Sequence, residues 1–89
     1  MPRPLTEFFK THGWCQGYFA KTASGGFVGV KHKNAVSFCL SGAASRAGVD
    51  AERVAKAMRF KDCMEMVAWN DTPGRTKEEV MQRIAEAGL

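Results

Sequence analysis

Residues that start and stop helices recur so closely along this chain that only short elements fit between them. Thr76 stands three residues before Glu79, a capping-box pattern in which the threonine side chain takes an orphan N–H of the first turn and the glutamate reaches back to the cap. Val80, Ile84 and Ala87 follow as an apolar stripe at helical spacing, and Gly88 ends it. Asp50 is placed to cap a short helix in which Val54, Ala57 and Met58 share a face. Asp62 is placed to cap another, carrying Met64, Val67 and Ala68. Near the start, Pro4 to Thr11 predicts a first helix. Proline is tolerated there, Leu5, Phe8 and Phe9 recur at helical spacing, and His12-Gly13 closes the pattern.

Between these helices the period changes. Trp14 to Ala20 reads as an extended arm, Ala23 to Gly26 as a turn, and Phe27 to Lys31 as the returning strand of a β-hairpin. A lone hairpin is marginal in water, so this one must lie against helices. From Asn34, a plausible cap, Val36, Leu40, Ala43 and Ala47 predict a further helix that Gly48 stops. Gly42, Ala43 and Ala44 imply that another element approaches it closely. The fold expected is a small α+β single domain over residues 1–89, mostly helical, with four or five short helices and one β-hairpin. A chain of 89 residues removes roughly 60–65% of its unfolded surface on folding, which supports one thin core.

Composition excludes some classes and leaves others open. The chain is 45% hydrophobic and 25% charged, ordinary for a globular domain and wrong for a disordered one. No apolar run approaches the ~18 residues of a membrane helix. The opening MPRPLTEFF lacks the apolar segment of a signal peptide, so a cytoplasmic protein that contacts no membrane is expected. Cys15, Cys39 and Cys63 are an odd set, which favours reduced thiols over a disulfide framework.

The stretch AWNDTPGRTKEEV, residues 68–80, is the least generic. Asn70 and Asp71 can bond their own downstream backbone, Pro73 has a fixed φ, and Gly74 accepts a positive one. Arg75 can pair with Asp71 or reach a partner. Turn chemistry alone accounts for this composition; the other reading is a contact surface on a loop held by rigid helices. Trp69 either anchors the core or half-exposes its indole to a partner.

Three chemical readings compete with that surface. His12, Cys15, His32 and Cys39 have zinc-ligand types, but in the wrong order and rhythm for a finger, so no metal or other cofactor is assigned. Cys15 and His12 could serve as nucleophile and base, yet no carboxylate is evidently placed to orient them, and no catalytic residue is assigned. The net charge is +4, and Lys21, Lys31 and Lys33 flank the hairpin while Arg53, Lys56 and Arg59 run through the middle of the chain. Phosphate binding needs only such a patch, so a nucleic-acid-binding accessory protein is the main alternative. Charge placed for solvation explains the same residues.

Trp14-Cys15-Gln16-Gly17, then Ala35 to Phe38-Cys39-Leu40 with Gly42-Ala43, then Trp69-Asn70-Asp71 with Arg75-Thr76 and Val80 resembles a family of small uncharacterised bacterial and phage proteins. The resemblance spans residues 12–81 and implies a small intracellular domain, encoded by a phage or other mobile element. It implies no reaction, cofactor or partner. The chain departs from the pattern in its middle segment, where members often carry longer connections. The recurring residues map onto Trp14, Gly17, Cys39, Gly42, Trp69, Asp71 and Arg75. They are expected to form one fold-defining cluster, with both tryptophans around the small-residue helix and Asp71 with Arg75 locking the corner.

The function expected is binding of a host or endogenous protein by a monomer or homodimer, as a phage or mobile-element inhibitor or regulator of the anti-defence (anti-CRISPR) type. Trp69, Asn70, Asp71, Arg75 and Tyr18 are the contact residues expected. An apolar patch around an exposed Trp69 or Tyr18 would favour this class over the nucleic-acid reading.

Overall fold

A computed structural model describes residues 3–89. They form five helices and a three-stranded sheet, an α+β domain. The first helix, α1, covers Pro4–Thr11 as its spacing predicts, with Leu5 and Phe9 buried. Its first-turn N–H groups, on Leu5 and Thr6, donate to the carbonyl of Leu89 at 2.8 and 3.1 Å, which joins the two ends of the described chain.

Three later helices begin where their caps predict. Asp50 accepts from Glu52 N–H ahead of α3, Ala51–Ala57. Asp62 accepts from Glu65 N–H ahead of α4, Cys63–Asn70. Thr76 and Glu79 complete a reciprocal capping box at the start of α5, Lys77–Glu86. These starts are local chemistry, readable from a few residues at a time.

The middle of the chain corrects the sequence reading twice. Residues Ala35–Phe38 form a strand, β3, where a helix from Asn34 was expected. It is the centre of the sheet. The Gly13–Trp14 strand, β1, pairs with it in parallel, and the Ala20–Thr22 strand, β2, pairs antiparallel. The helix α2 starts only at Leu40 and runs to Arg46, capped by the thiol of Cys39, which accepts from Gly42 N–H at 3.2 Å. Segment 27–31, expected as the returning strand, contributes one bridge, Phe27 to Lys21. Val28 N–H donates to Ala20 O at 3.0 Å, and the guanidinium of Arg46 donates to the carbonyls of Val30 at 2.6 Å and, just past the segment, His32 at 3.0 Å. The expected turn is present: Thr22 N–H donates to Gly26 O at 2.8 Å.

Packing follows from these elements. Leu5, Phe9, Phe38, Leu40, Val54, Met66, Val80 and Ile84 are fully buried and come from α1, β3 and all four later helices. Burial of side chains of this size stabilises by roughly 1.5–3 kcal/mol each relative to exposure. No helix among the described residues is long and apolar enough to cross a membrane.

Candidate functional site

Asn70 is the one fully buried polar side chain among the described residues, and it ties three segments together. Its Oδ1 accepts from Trp14 Nε1 at 2.7 Å and from Leu40 N–H at 3.1 Å. Its Nδ2 donates to Cys15 O at 3.2 Å and to Asp71 Oδ1 at 2.9 Å. Gln16 donates to the carbonyls of Asn70 at 3.0 Å and Thr72 at 2.9 Å, and Gly17 N–H donates to Asp71 Oδ1 at 3.0 Å. The WCQG and WND stretches are thus two halves of one hydrogen-bonded junction. Asn70, expected as a contact residue, lies inside the protein with its amide fully paired, so it cannot face a partner.

The junction fixes the short bend that follows it. Gly17 adopts φ +83°, a conformation that favours glycine. The Cys15 thiol donates to Tyr18 O at 3.5 Å. Phe19 O accepts Cys39 N–H at 3.3 Å and rests on Gly42, where a side chain would run into it. With its backbone held from several sides, the bend turns its aromatic side chains outward: Tyr18 is 47% exposed and Phe19 59%. Phe27, 69% exposed, stacks on Tyr18 with ring centroids 4.8 Å apart and planes 3° from parallel. The ammonium of Lys21 sits 5.2 Å from the Tyr18 centroid.

These aromatic residues border a pocket of about 260 Å³, lined also by Val28, Cys39, Val67, Gly17 and Asp71. Asp71 is its only charged residue. The arrangement is mainly apolar and has one carboxylate, which suits it to hold a side chain or other small group of a binding partner.

The other expected contact residues lie elsewhere. Trp69 is half-buried beside Phe60, with Arg75 4.2 Å and Arg83 5.0 Å from its ring centroid. Arg75 does not lock the corner through Asp71, as expected. It donates to Trp69 O at 3.0 Å and pairs with Glu79 at 3.4 Å, its reach taken up by its own helix start. Of the basic residues, Lys31, Lys33, Arg53, Lys56 and Arg59 are exposed, and Lys21 is half-buried. Lys31 reaches Ser45 O at 3.4 Å, whereas Lys21 lies over Tyr18.

The nucleophile and ligand candidates are used structurally. The His12 ring stacks on Phe8 with centroids 4.0 Å apart, and no hydrogen bond joins it to Cys15 among the described residues. Burial, then the neighbouring Cys39, pushes the Cys15 thiol up to about 11, which suppresses the thiolate a nucleophile requires. Burial likewise raises Cys39. No group of three or more potential ligands is gathered for a metal among the described residues.

Phe19, Phe27 and Val67 escaped the sequence reading as site residues, and Cys39, read there as a ligand type, lines the pocket instead. Tyr18-Phe19 and Phe27 on either side of a glycine turn were the available signal, because a short hairpin cannot bury every aromatic it carries.

The family of unknown function DUF6197 matches residues 6–88 of the chain. No curated protein and no solved structure matches it.

Proposed function

The chain belongs to this family of unknown function, DUF6197, and we propose that it is a protein-binding domain whose contact face is the aromatic patch of Tyr18, Phe19 and Phe27. The observation that carries this reading is the joining of three exposed aromatic side chains to a pocket of about 260 Å³ on a pinned backbone. Aromatic anchors supply much of the energy of protein interfaces, and a rigid bend lowers the ordering cost of using them. Trp69 is held between arginines and serves chiefly the corner.

In its most concrete form the protein is a cytoplasmic inhibitor or regulator of a host protein, encoded by a phage or mobile element and of the anti-defence type that includes anti-CRISPR proteins. That form rests on the resemblance to bacterial and phage proteins alone. Nucleic-acid binding by Lys21, Lys31, Lys33, Arg53, Lys56 and Arg59 is the alternative that the same experiment decides.

The test is affinity capture from the producing cell, with and without nuclease, using the wild-type chain and a Tyr18→Ser/Phe27→Ser variant checked for folding. The reading expects a stoichiometric protein retained after nuclease by the wild type and lost by the variant. Identical proteins captured by both, or nucleic acid alone, would overturn it.

A further inference from the structure

We infer that the pocket beside Tyr18 and Phe27 takes a basic side chain of the partner protein, its aliphatic stem against the aromatic and valine walls and its cationic head at Asp71. This rests on the protein-binding reading and names the chemistry of the group bound. Asp71 is the only charged residue lining the pocket, amid Tyr18, Phe19, Phe27, Val28 and Val67. One oxygen, Oδ1, is occupied by Gly17 N–H and Asn70 Nδ2 at 3.0 and 2.9 Å, which hold the carboxylate in place. Its other oxygen accepts no hydrogen bond and the carboxylate has no ion-pair partner among the described residues.

A carboxylate in the wall of an otherwise apolar, aromatic cavity favours an amphiphilic cation. The ring faces attract positive charge through their quadrupole, and a long basic side chain buries its methylenes while its head stays polar. The molecule itself places an ammonium over one of these rings, Lys21 at 5.2 Å from Tyr18, but Lys21 does not line this pocket; it borders a separate hollow with Trp14, Gln16 and Thr22. The net charge of +4 opposes a cation only diffusely. Screening over about 8 Å at physiological salt leaves the adjacent carboxylate dominant.

The pocket can be tested with side-chain analogues, independently of the partner's identity. Butylammonium and butylguanidinium would be titrated into the ¹⁵N-labelled full chain at constant ionic strength, with 1-butanol as the uncharged counterpart. Saturable shifts are expected at the amides of Gly17, Tyr18, Val67 and Asp71, with 1-butanol roughly fivefold weaker than the cations. Asp71→Asn keeps the oxygen that Gly17 and Asn70 need and removes the charge. It should weaken both cations by about the same factor and leave 1-butanol unchanged. Phe27→Leu, at an exposed position, provides a second variant should Asp71→Asn unfold, and is expected to weaken the cations selectively. Equal binding of 1-butanol, or cation binding indifferent to both substitutions, overturns the inference while leaving an apolar docking site. Absence of saturable shifts with all three probes also overturns it, and the capture experiment then judges protein binding separately.

Discussion

The indole N–H of Trp14 donates to the side-chain oxygen of Asn70 at 2.7 Å, across 56 positions of sequence. Leu40 N–H shares that oxygen, and the Asn70 amide nitrogen returns bonds to Cys15 O and Asp71. The β1 strand, the start of α2 and the end of α4 therefore meet on one buried amide. This junction carries the bend that presents Tyr18 and Phe19, so the stability of the fold and the shape of the aromatic patch are linked.

Asn70→Ala should be among the most destabilising single changes in the chain, costing about 3–4 kcal/mol by leaving several buried groups without partners. Trp14→Phe, which removes one donor and leaves Leu40 on Asn70 Oδ1, should cost about 1–2 kcal/mol. Urea unfolding of the three proteins measures both. Equal stability of Asn70→Ala and wild type would mean that the junction contributes nothing net.

Gly42→Ala reverses the usual helix rule. Alanine is normally preferred to glycine within a helix by about 1 kcal/mol. Here the added methyl would overlap the Phe19 carbonyl oxygen and lie 2.8 Å from its carbon. Backbone must shift on one side or the other, and a loss of about 2–3 kcal/mol is expected. Thermal unfolding checks the sign, and shifted amide resonances at Tyr18 and Phe19 would show that the bend has moved.

The elements most legible in the sequence were those whose causes are local. Asp50, Asp62 and the Thr76–Glu79 pair each reveal a helix start within a few residues, and Gly42 disclosed a close approach without naming the Phe19 carbonyl. Residues 35–38 were misread because Val36, Leu40 and Ala43 match helical spacing, whereas the strand owes its existence to β1 and β2 on either side. Cysteine is also an uncommon helix cap, which hid the true start of α2 behind Asn34. The same reason hid half of the site. Asn70 and Asp71 looked sufficient as turn residues, and nothing local reveals that Trp14 and Gly17 occupy their side chains.

Arg59→Gly should stabilise the protein. The helices α2, α3 and α5 end alike, with bonds from Val49 N–H to Ala44 O, Phe60 N–H to Ala55 O, and Leu89 N–H to Ile84 O. The residue before each of those donors has positive φ: Gly48 at +80°, Arg59 at +69° and Gly88 at +76°. Arginine bears there a steric cost that glycine avoids, so the substitution should gain about 0.5–1 kcal/mol despite the freer unfolded chain. Chemical denaturation decides it. If nucleic acid is the partner, the same variant should also bind it more weakly and with a reduced salt slope, because one cation is gone.

Alkaline pH should weaken the fold through Cys15. Its thiol is raised from the ordinary 9.0 to about 11, chiefly by burial and then by Cys39, with Asp71 adding to the rise and Lys21 opposing it. Below pH 9 the folded and unfolded chains both hold this proton; between 9 and about 11 only the folded chain does. Unfolding therefore releases a proton in that window, and stability falls by up to about 1.4 kcal/mol per pH unit, approaching roughly 3 kcal/mol in all. Tyrosine and lysine titrate nearby, so the measurement is the difference between wild type and Cys15→Ala across that range, the variant showing the shallower decline. Alkylation at neutral pH supplies an independent check, with Cys63, the most accessible of the three thiols, modified before Cys15 and Cys39. Early modification of Cys15 in the folded protein would contradict the burial that raises its pKa, and would return its thiol to consideration as a reactive group.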